Sequence, residues 1–533
     1  MRKPKIIFFT GGICSSVGKG LTLANLGRIF TELGFRVTAM KFDPYLNKNA
    51  GNLSPCQHGE VYVTKDGCEA DLDLGHYERF MNCELSCDSC VTAGSIMKNI
   101  LDRQETHEFT GETIQVVPHF VDEIHKKIMD LIEKNKDIDF LFIEIGGTVG
   151  DIESTPFLYA ASRFKKKYGE GDVLFIHISP LIYFPASKEL KTKPTQHSIQ
   201  QLISNLITPD LLILRSYIEP SEDIKVKIST TTNLALDEIF VCLDNNIYLI
   251  AEDLYEQNIH KQILKKLNIP VPDKNIDKWK DFTRNINSSK EKELRIALIA
   301  KYANLLDSYI SITESFKIAS YQLGANVKIE CINVDDLKSM TLLSEYDAVC
   351  VPYGFGTRGA EQKTEAIRYC RENKIPFLGI CFGMQLACIE YAKNVLNANW
   401  ATSEELNPEM EEPMFIQLPD KKMRLGNKKI IIADGTLAKS LLGSKCIEAR
   451  HRHRYHLNPK YIPLLETTDL VISGVSDCPQ KIIEIVELKN HPFFVATQYH
   501  PEFETNFQHV CPFFTELIRA ASKRTKDVRQ QKI

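Results

Sequence analysis

Short runs of β-branched and aromatic residues recur along this chain, and several lead into a glycine turn and then a helical apolar pattern. Runs at 6–9, 37–40, 140–145, 173–178 and 211–214 form one series, which extends to about residue 265. Alternation of strand-period and helix-period segments is the pattern of βαβ units, which build a parallel sheet covered by helices. From about 271 to 293 the text VPDKNIDKWKDFTRNINSSKEKE is polar, lacks a sustained apolar period and reads as an interdomain linker. A second series starts at 294–299 and continues through 348–351, 375–378 and 493–497. The expected fold class is α/β, with two tandem domains, each a mostly parallel sheet flanked by helices. Their expected bounds are 1–270 and 294–522, with the linker 271–293 between them and a basic, frayed tail at 523–533. A length of 533 residues agrees, since domains run to about 100–200 residues.

Composition excludes several classes. With 43% hydrophobic and 25% charged residues, neither disorder nor a fibrous repeat is indicated, and a net charge of −4 points to no nucleic-acid or membrane partner. The N-terminal apolar run ends after four residues at Thr10-Gly11-Gly12, too short for a secretory signal, and no apolar stretch approaches the roughly 20 residues of a membrane span. Fifteen scattered cysteines, an odd number, fit reduced thiols in a cytoplasmic protein. Cys87 and Cys90 make one CxxC with Cys83 just before it; no second pair follows at finger spacing, so zinc is not expected.

The segment Thr10-Gly11-Gly12-Ile13-Cys14-Ser15-Ser16-Val17-Gly18-Lys19-Gly20 follows the first expected strand and opens a helix expected over 21–33. Glycines let backbone N–H groups close on phosphate oxygens, and Lys19 adds a point charge. The spacing departs from the strict G-x4-G-K-[ST] loop, yet Gly18-Lys19-Gly20 favours a phosphate cradle over a plain turn. A triphosphate brings magnesium, which needs carboxylates. Asp71 and Asp73 share a face if extended, and Glu144 ends an apolar strand, where parallel sheets place ligands.

Gly379-Ile380-Cys381-Phe382-Gly383 lies between an expected strand and a helical pattern at 384–392, placing Cys381 in a nucleophile elbow of the G-x-[SC]-x-G type. His500-Pro501-Glu502 follows the run 493–497; in extended chain both side chains point the same way, so Glu502 orients His500 while His500 activates Cys381. Val351-Pro352-Tyr353-Gly354-Phe355-Gly356 supplies a glycine turn whose amide binds an oxyanion, an interaction worth about 10²–10³ in rate. These parts describe acyl transfer through a thioester. Joined to an ATP site, they point to ammonia released from an amide and placed on a carbonyl that ATP has activated; the residues alone do not name the acceptor.

Longer blocks narrow the choice. KFDPYLN at 41–47, SPCQHGEV at 54–61, DLDLGHYERF at 71–80, IEIGGTVGDIES at 143–154 and KTKPTQHS at 191–198 stand in one order, and the chain resembles the CTP synthase family over nearly its whole length. The resemblance implies a P-loop-like synthetase domain followed by a class I glutamine amidotransferase domain, which together aminate UTP to CTP with ammonia from glutamine. It assigns ATP to Ser16, Gly18, Lys19, Gly20, Lys41 and Asp73, and Mg2+ to Asp73 and Glu144. UTP, and CTP as feedback inhibitor, fall to Ser15, Asp151, Ile152, Glu153, Lys191, Thr192, Lys193, Pro194, Thr195, Gln196 and Lys227; lysines suit a second triphosphate. Pro55, His58 and Val61 match an ammonia passage. Glutamine falls to Gly354, Phe382, Gln385, Glu405 and Arg454, beside the triad Cys381, His500 and Glu502. The run Arg450-His451-Arg452-His453-Arg454, by itself a basic patch, lines the glutaminase cleft in that family with Tyr455 completing it. A homotetramer, filaments and GTP as allosteric activator are also implied.

The sequence departs from the family pattern in places. Tyr353 stands where the family usually has the first glycine of a pair, and Lys421-Lys422 precede a lid linked to GTP activation where small residues are usual. No family motif matches 229–240, so the adenine contacts stay unassigned. Two other readings remain: a nucleotide-dependent filament or assembly protein, which has no use for a thiol triad, and an ATP-dependent amidotransferase acting on a carboxylate, which the 191–198 block disfavours.

Overall fold

In a computed structural model, residues 3–286, 293–303 and 305–530 are described. The chain forms two units: Met1–Gly51 with Asp73–Arg284, and Asn52–Leu72 with Asn285–Ile533.

The first unit holds a sheet ordered Ile239–Leu243, Leu211–Ser216, Val173–Phe184, Lys5–Gly11, Phe140–Ile145, Val37–Asp43, Cys90–Thr92, all parallel. Phe140–Ile145 is buried along its whole length, as a central strand covered on both faces must be, which explains its unbroken apolar text FLFIEI. Val173–Phe184 outruns the expected 173–178 because its far end leaves the core and pairs antiparallel with Glu189–Lys191. Helix Lys19–Glu32 packs on this sheet directly after the glycine loop.

In the second unit Val327–Asn333, Leu294–Ala300, Ala348–Val351, Phe377–Ile380 and Phe494–Thr497 pair in parallel. The sheet then continues antiparallel through Ile483–Leu488, Leu470–Ser476, Arg424–Ile432 and Cys446–His453. It is mixed rather than mostly parallel; RLGNKKIII and its neighbours lack the continuous apolar run by which buried parallel strands announce themselves.

Three expected boundaries differ. The stretch read as a linker carries helix Asp277–Thr283, whose Trp279 is fully buried against Phe80 and donates its indole N–H to the Tyr248 carbonyl at 3.0 Å; residues 287–292 lie outside the described ones. One aromatic anchor outweighed the polar text around it. The tail read as frayed continues helix Pro512–Gln530, where Arg524 donates to the Tyr346 carbonyl at 2.7 Å and the Thr525 hydroxyl to Asp347 at 2.5 Å; 531–533 lie outside the described residues. Residues 52–72, read as part of the first domain, belong to the second unit. Asp73 opens helix Asp73–Met81, so Asp71 and Asp73 do not form an extended pair.

Candidate active site

Strand Phe377–Ile380 runs into Cys381, and helix Phe382–Asn394 starts at the next residue. Cys381 holds φ 54°, ψ −102°, a conformation that costs a non-glycine residue free energy and persists because its surroundings impose it. Its N–H donates to the Thr497 carbonyl at 2.7 Å. Glycine at 383 is required by close approach, since a Cβ there would overlap the Val351 carbonyl oxygen.

His500 leaves strand Phe494–Thr497 buried, with Nδ1 2.7 Å from Glu502 Oε1. Burial opposes its positive charge, but Glu502 and the Cys381 thiol beside it more than offset this and lift the imidazole to about 10. Its Nε2 has no hydrogen-bond partner among the described residues. The ring contacts Phe503, stacked at 5.1 Å, and Tyr353, tilted at 5.2 Å.

Two residues here escaped sequence reading. Gln498 is fully buried, with Nε2 3.7 Å from Cys381 Sγ and its amide oxygen accepting from Gln385 at 3.2 Å. Lys363, in helix Ala360–Glu372, is 1% exposed and donates to the carbonyls of Pro352 and Tyr353 at 2.8 and 3.1 Å, fixing the turn that leads into Gly354. Burial, then Lys301, lowers it to about 7. A lysine in AEQKTEAIRYCRE reads as a solvated face, and only packing shows otherwise. Glu405 accepts the Gly356 N–H at 2.8 Å; burial raises its pKa, while Lys301 and Arg454 stand close enough to favour its charge.

The run 450–454 lies mostly inside, with Arg452 half-buried and Arg454 exposed at its end. Arg450, His451 and His453 are buried, and Arg450 donates to the Tyr62 hydroxyl at 2.6 Å and the Val63 carbonyl at 3.0 Å. Arg452 pairs with Glu69 at 2.9 Å, and its carbonyl faces Cys381 Sγ at 3.8 Å. His451, His453 and Glu484 bring three ligand-type atoms within 4.8 Å of one another. Protons close this cluster. His453 Nδ1 lies 2.8 Å from the Tyr455 carbonyl and must donate, leaving Nε2 to accept from His451 Nδ1 at 3.2 Å, while Arg424 pairs with Glu484.

Asn52–Leu72 contributes helix Pro55–His58, with His58 exposed and Val61 buried. The Pro55 carbonyl accepts the Ser308 hydroxyl at 2.9 Å.

In the first unit Gly18 takes φ 82° and caps helix Lys19–Glu32, whose Lys19 donates to the Gly147 carbonyl at 2.8 Å. Arg215, also unforeseen, lies against Gly18 and pairs with Asp244 at 2.6 Å. Thr10 bonds His177 at 2.9 Å and His177 bonds Ser198 at 2.7 Å, linking the loop's strand to helix Lys193–Ser204; burial holds His177 neutral, at about 3. Lys41 pairs with Asp73, and Glu144 accepts the Tyr77 hydroxyl. Burial, then Asp73, pushes the Glu144 carboxyl up. A buried and a half-buried carboxylate in mutual repulsion, offering only oxygen donors, fit a hard dication such as magnesium.

The block read as the UTP site has two faces. Ser15, Ile152, Glu153, Lys191, Lys193 and Lys227 are exposed. Asp151 is half-buried and accepts the Thr148 N–H at 2.6 Å. Thr192, Thr195 and Gln196 are buried; Thr195 donates to the Pro180 carbonyl at 3.1 Å and Gln196 to Thr192 at 3.3 Å, so both bond within their own packing.

Two family models match this chain: CTP synthase N-terminus over residues 5–269 and glutamine amidotransferase class-I over 304–520. Relatives named CTP synthase are similar along nearly the whole length. One from Clostridium perfringens is 43% identical over 98% of this chain and 99% of its own. One from Saccharolobus solfataricus is 42% identical over 97% and 99%, and one from Caldanaerobacter subterraneus 40% over 97% and 98%. The chain belongs to the CTP synthase family. It is a glutamine-hydrolysing ligase that converts UTP to CTP with ATP as co-substrate, and the filament and carboxylate-amidating readings are not favoured. Among the described residues, no helix is long and apolar enough to cross a membrane.

Proposed function

We propose that the thiol site of the second unit supplies ammonia and the loop site of the first unit activates UTP. The carrying observation is the strained Cys381 beside a histidine whose other nitrogen is held by Glu502. His500, raised by Glu502 and Cys381, already holds the thiol's proton, so Cys381 attacks the glutamine carboxamide carbon as the thiolate, and the Gly354 N–H, in the turn fixed by Lys363, stabilises the oxyanion. His500 returns the proton to the departing amine, releasing ammonia, and water then cleaves the thioester to glutamate. Phe382, Gln385, Glu405 and Arg454 hold the glutamine.

In the first unit Ser16, Gly18, Gly20, Lys19 and Lys41 bind the ATP phosphates, with Arg215 adding a guanidinium beside the loop. Magnesium, when bound by Asp73 and Glu144, neutralises phosphate charge during transfer. The γ-phosphoryl group passes to the uracil carbonyl oxygen of UTP, and ammonia displaces phosphate to give CTP and ADP. Ser15, 151–153, 191–196 and Lys227 cradle UTP, and CTP as inhibitor competes there. Pro55, His58 and Val61 form the ammonia passage. GTP as activator, a homotetramer and a cytoplasmic setting complete the reading.

The test follows absorbance of CTP with UTP, ATP, magnesium and either glutamine or ammonium chloride. Cys381→Ala is expected to lose glutamine-driven synthesis and keep ammonium-driven synthesis. Loss of both, or of neither, would remove Cys381 from this role.

A further inference from the structure

We propose that Tyr353 is a positioning residue that clamps the segment carrying Pro55, His58 and Val61 onto the thiol site, so that ammonia released beside His500 is kept from bulk water. The inference rests on the ammonia-passage reading above. The Tyr353 ring faces His500 at 5.2 Å and Tyr309 at 5.1 Å. Its hydroxyl lies 2.9 Å from Glu60 Oε1 and 2.8 Å from the Ser308 carbonyl. Glu60 is 3% exposed, and its other oxygen accepts the Ser311 N–H at 3.0 Å and hydroxyl at 2.5 Å. The Glu60 N–H donates to the Asp307 carbonyl at 2.9 Å, and Ser308 reaches Pro55 as described. The phenol thus touches the imidazole with its ring and the passage segment with its hydroxyl.

A second contact of His500 leads to the same segment, because Phe503, stacked on its ring, meets the Tyr62 ring edge-on at 5.0 Å. The imidazole that hands a proton to the departing amine therefore contacts two rings, each in contact with residues 52–72. A glycine at 353 would supply neither ring nor hydroxyl. A phenol here adds a charge-assisted bond to a buried carboxylate, where such bonds are strong.

Glutamate and CTP are counted together in reactions of the full-length enzyme with ATP, UTP, magnesium and glutamine, then with ammonium chloride replacing glutamine. Tyr353→Phe keeps the ring and loses the hydroxyl. It is expected to lower CTP formed per glutamate released by about tenfold or more, as loss of one hydrogen bond to a charged group does, with ammonium-driven synthesis kept. Glu60→Gln is expected to shift the ratio in the same direction. An unchanged ratio overturns the inference, and so does a parallel fall in ammonium-driven synthesis, which marks a general structural role. If the parent enzyme makes no CTP even from ammonium, the reading beneath fails and takes the inference with it.

Discussion

At the scale of single residues, Lys363 sets burial against charge. Its amine is out of water yet bonds the carbonyls of Pro352 and Tyr353, and a neutral amine near pH 7 still has two hydrogens to give them. Lys363→Met removes both donors at similar volume, and glutamine hydrolysis is expected to fall about 10–100-fold, since a misplaced oxyanion donor acts on the transition state. Ammonium-driven CTP synthesis is the control and should persist. The pH signature has a definite sign. The folded chain releases the Lys363 proton near 7, whereas an unfolded lysine keeps it to about 10.4, so the folded state gains relative stability as pH rises between those values. The melting temperature of Lys363→Met should accordingly fall relative to the parent's from pH 7 to 10; a constant difference would count against a buried titrating amine.

At the scale of elements, the elbow was legible because its requirement is local. A strand ending in Gly-x-Cys-x-Gly before a helical period leaves few alternatives, and the structure shows why small residues stand there: helix Phe382–Asn394 passes against the backbone of Ala348–Val351. Gly383→Ala places a methyl group on the Val351 carbonyl, and a shift of the helix start is expected. The enzyme should lose about 1–3 kcal/mol of stability, as overpacked sites do, and most of its glutaminase activity. Thermal melts with a glutamate-release assay check both, and a variant with parental values would show that the helix start can yield. The antiparallel half of the second sheet was less legible, because half-exposed strands such as Arg424–Ile432 mix charged and apolar residues, and their pairing depends on distant partners.

At the scale of the whole molecule, the chain order of the two units is broken once, where Asn52–Leu72 enters the second unit. Arg450 is 3% exposed and is satisfied in part by Tyr62 and Val63, and Arg452 by Glu69. A fragment covering 285–533 alone leaves these guanidiniums and Ser311 short of acceptors, which costs several kcal/mol when a buried charge loses its partners. Its melting temperature is expected to be at least about 5 °C below that of the same fragment with 52–72 fused to it. Equal melting temperatures would mean that the segment contributes little to this unit.

The sequence by itself determined the α/β class, the parallel strands of both sheets, the glycine loop and the elbow, and through its long motif blocks the family and reaction. Each of these depends on spacing within one strand, turn or helix, where backbone geometry leaves few choices. Only the tertiary structure decided that Glu60, Tyr353 and His500 form one chain of contacts beside the turn that Lys363 fixes, that Trp279 anchors a polar stretch, and that His451 and His453 lie inside. A buried polar group must find its partners wherever the folded chain brings them, and that choice leaves no periodic mark along the sequence.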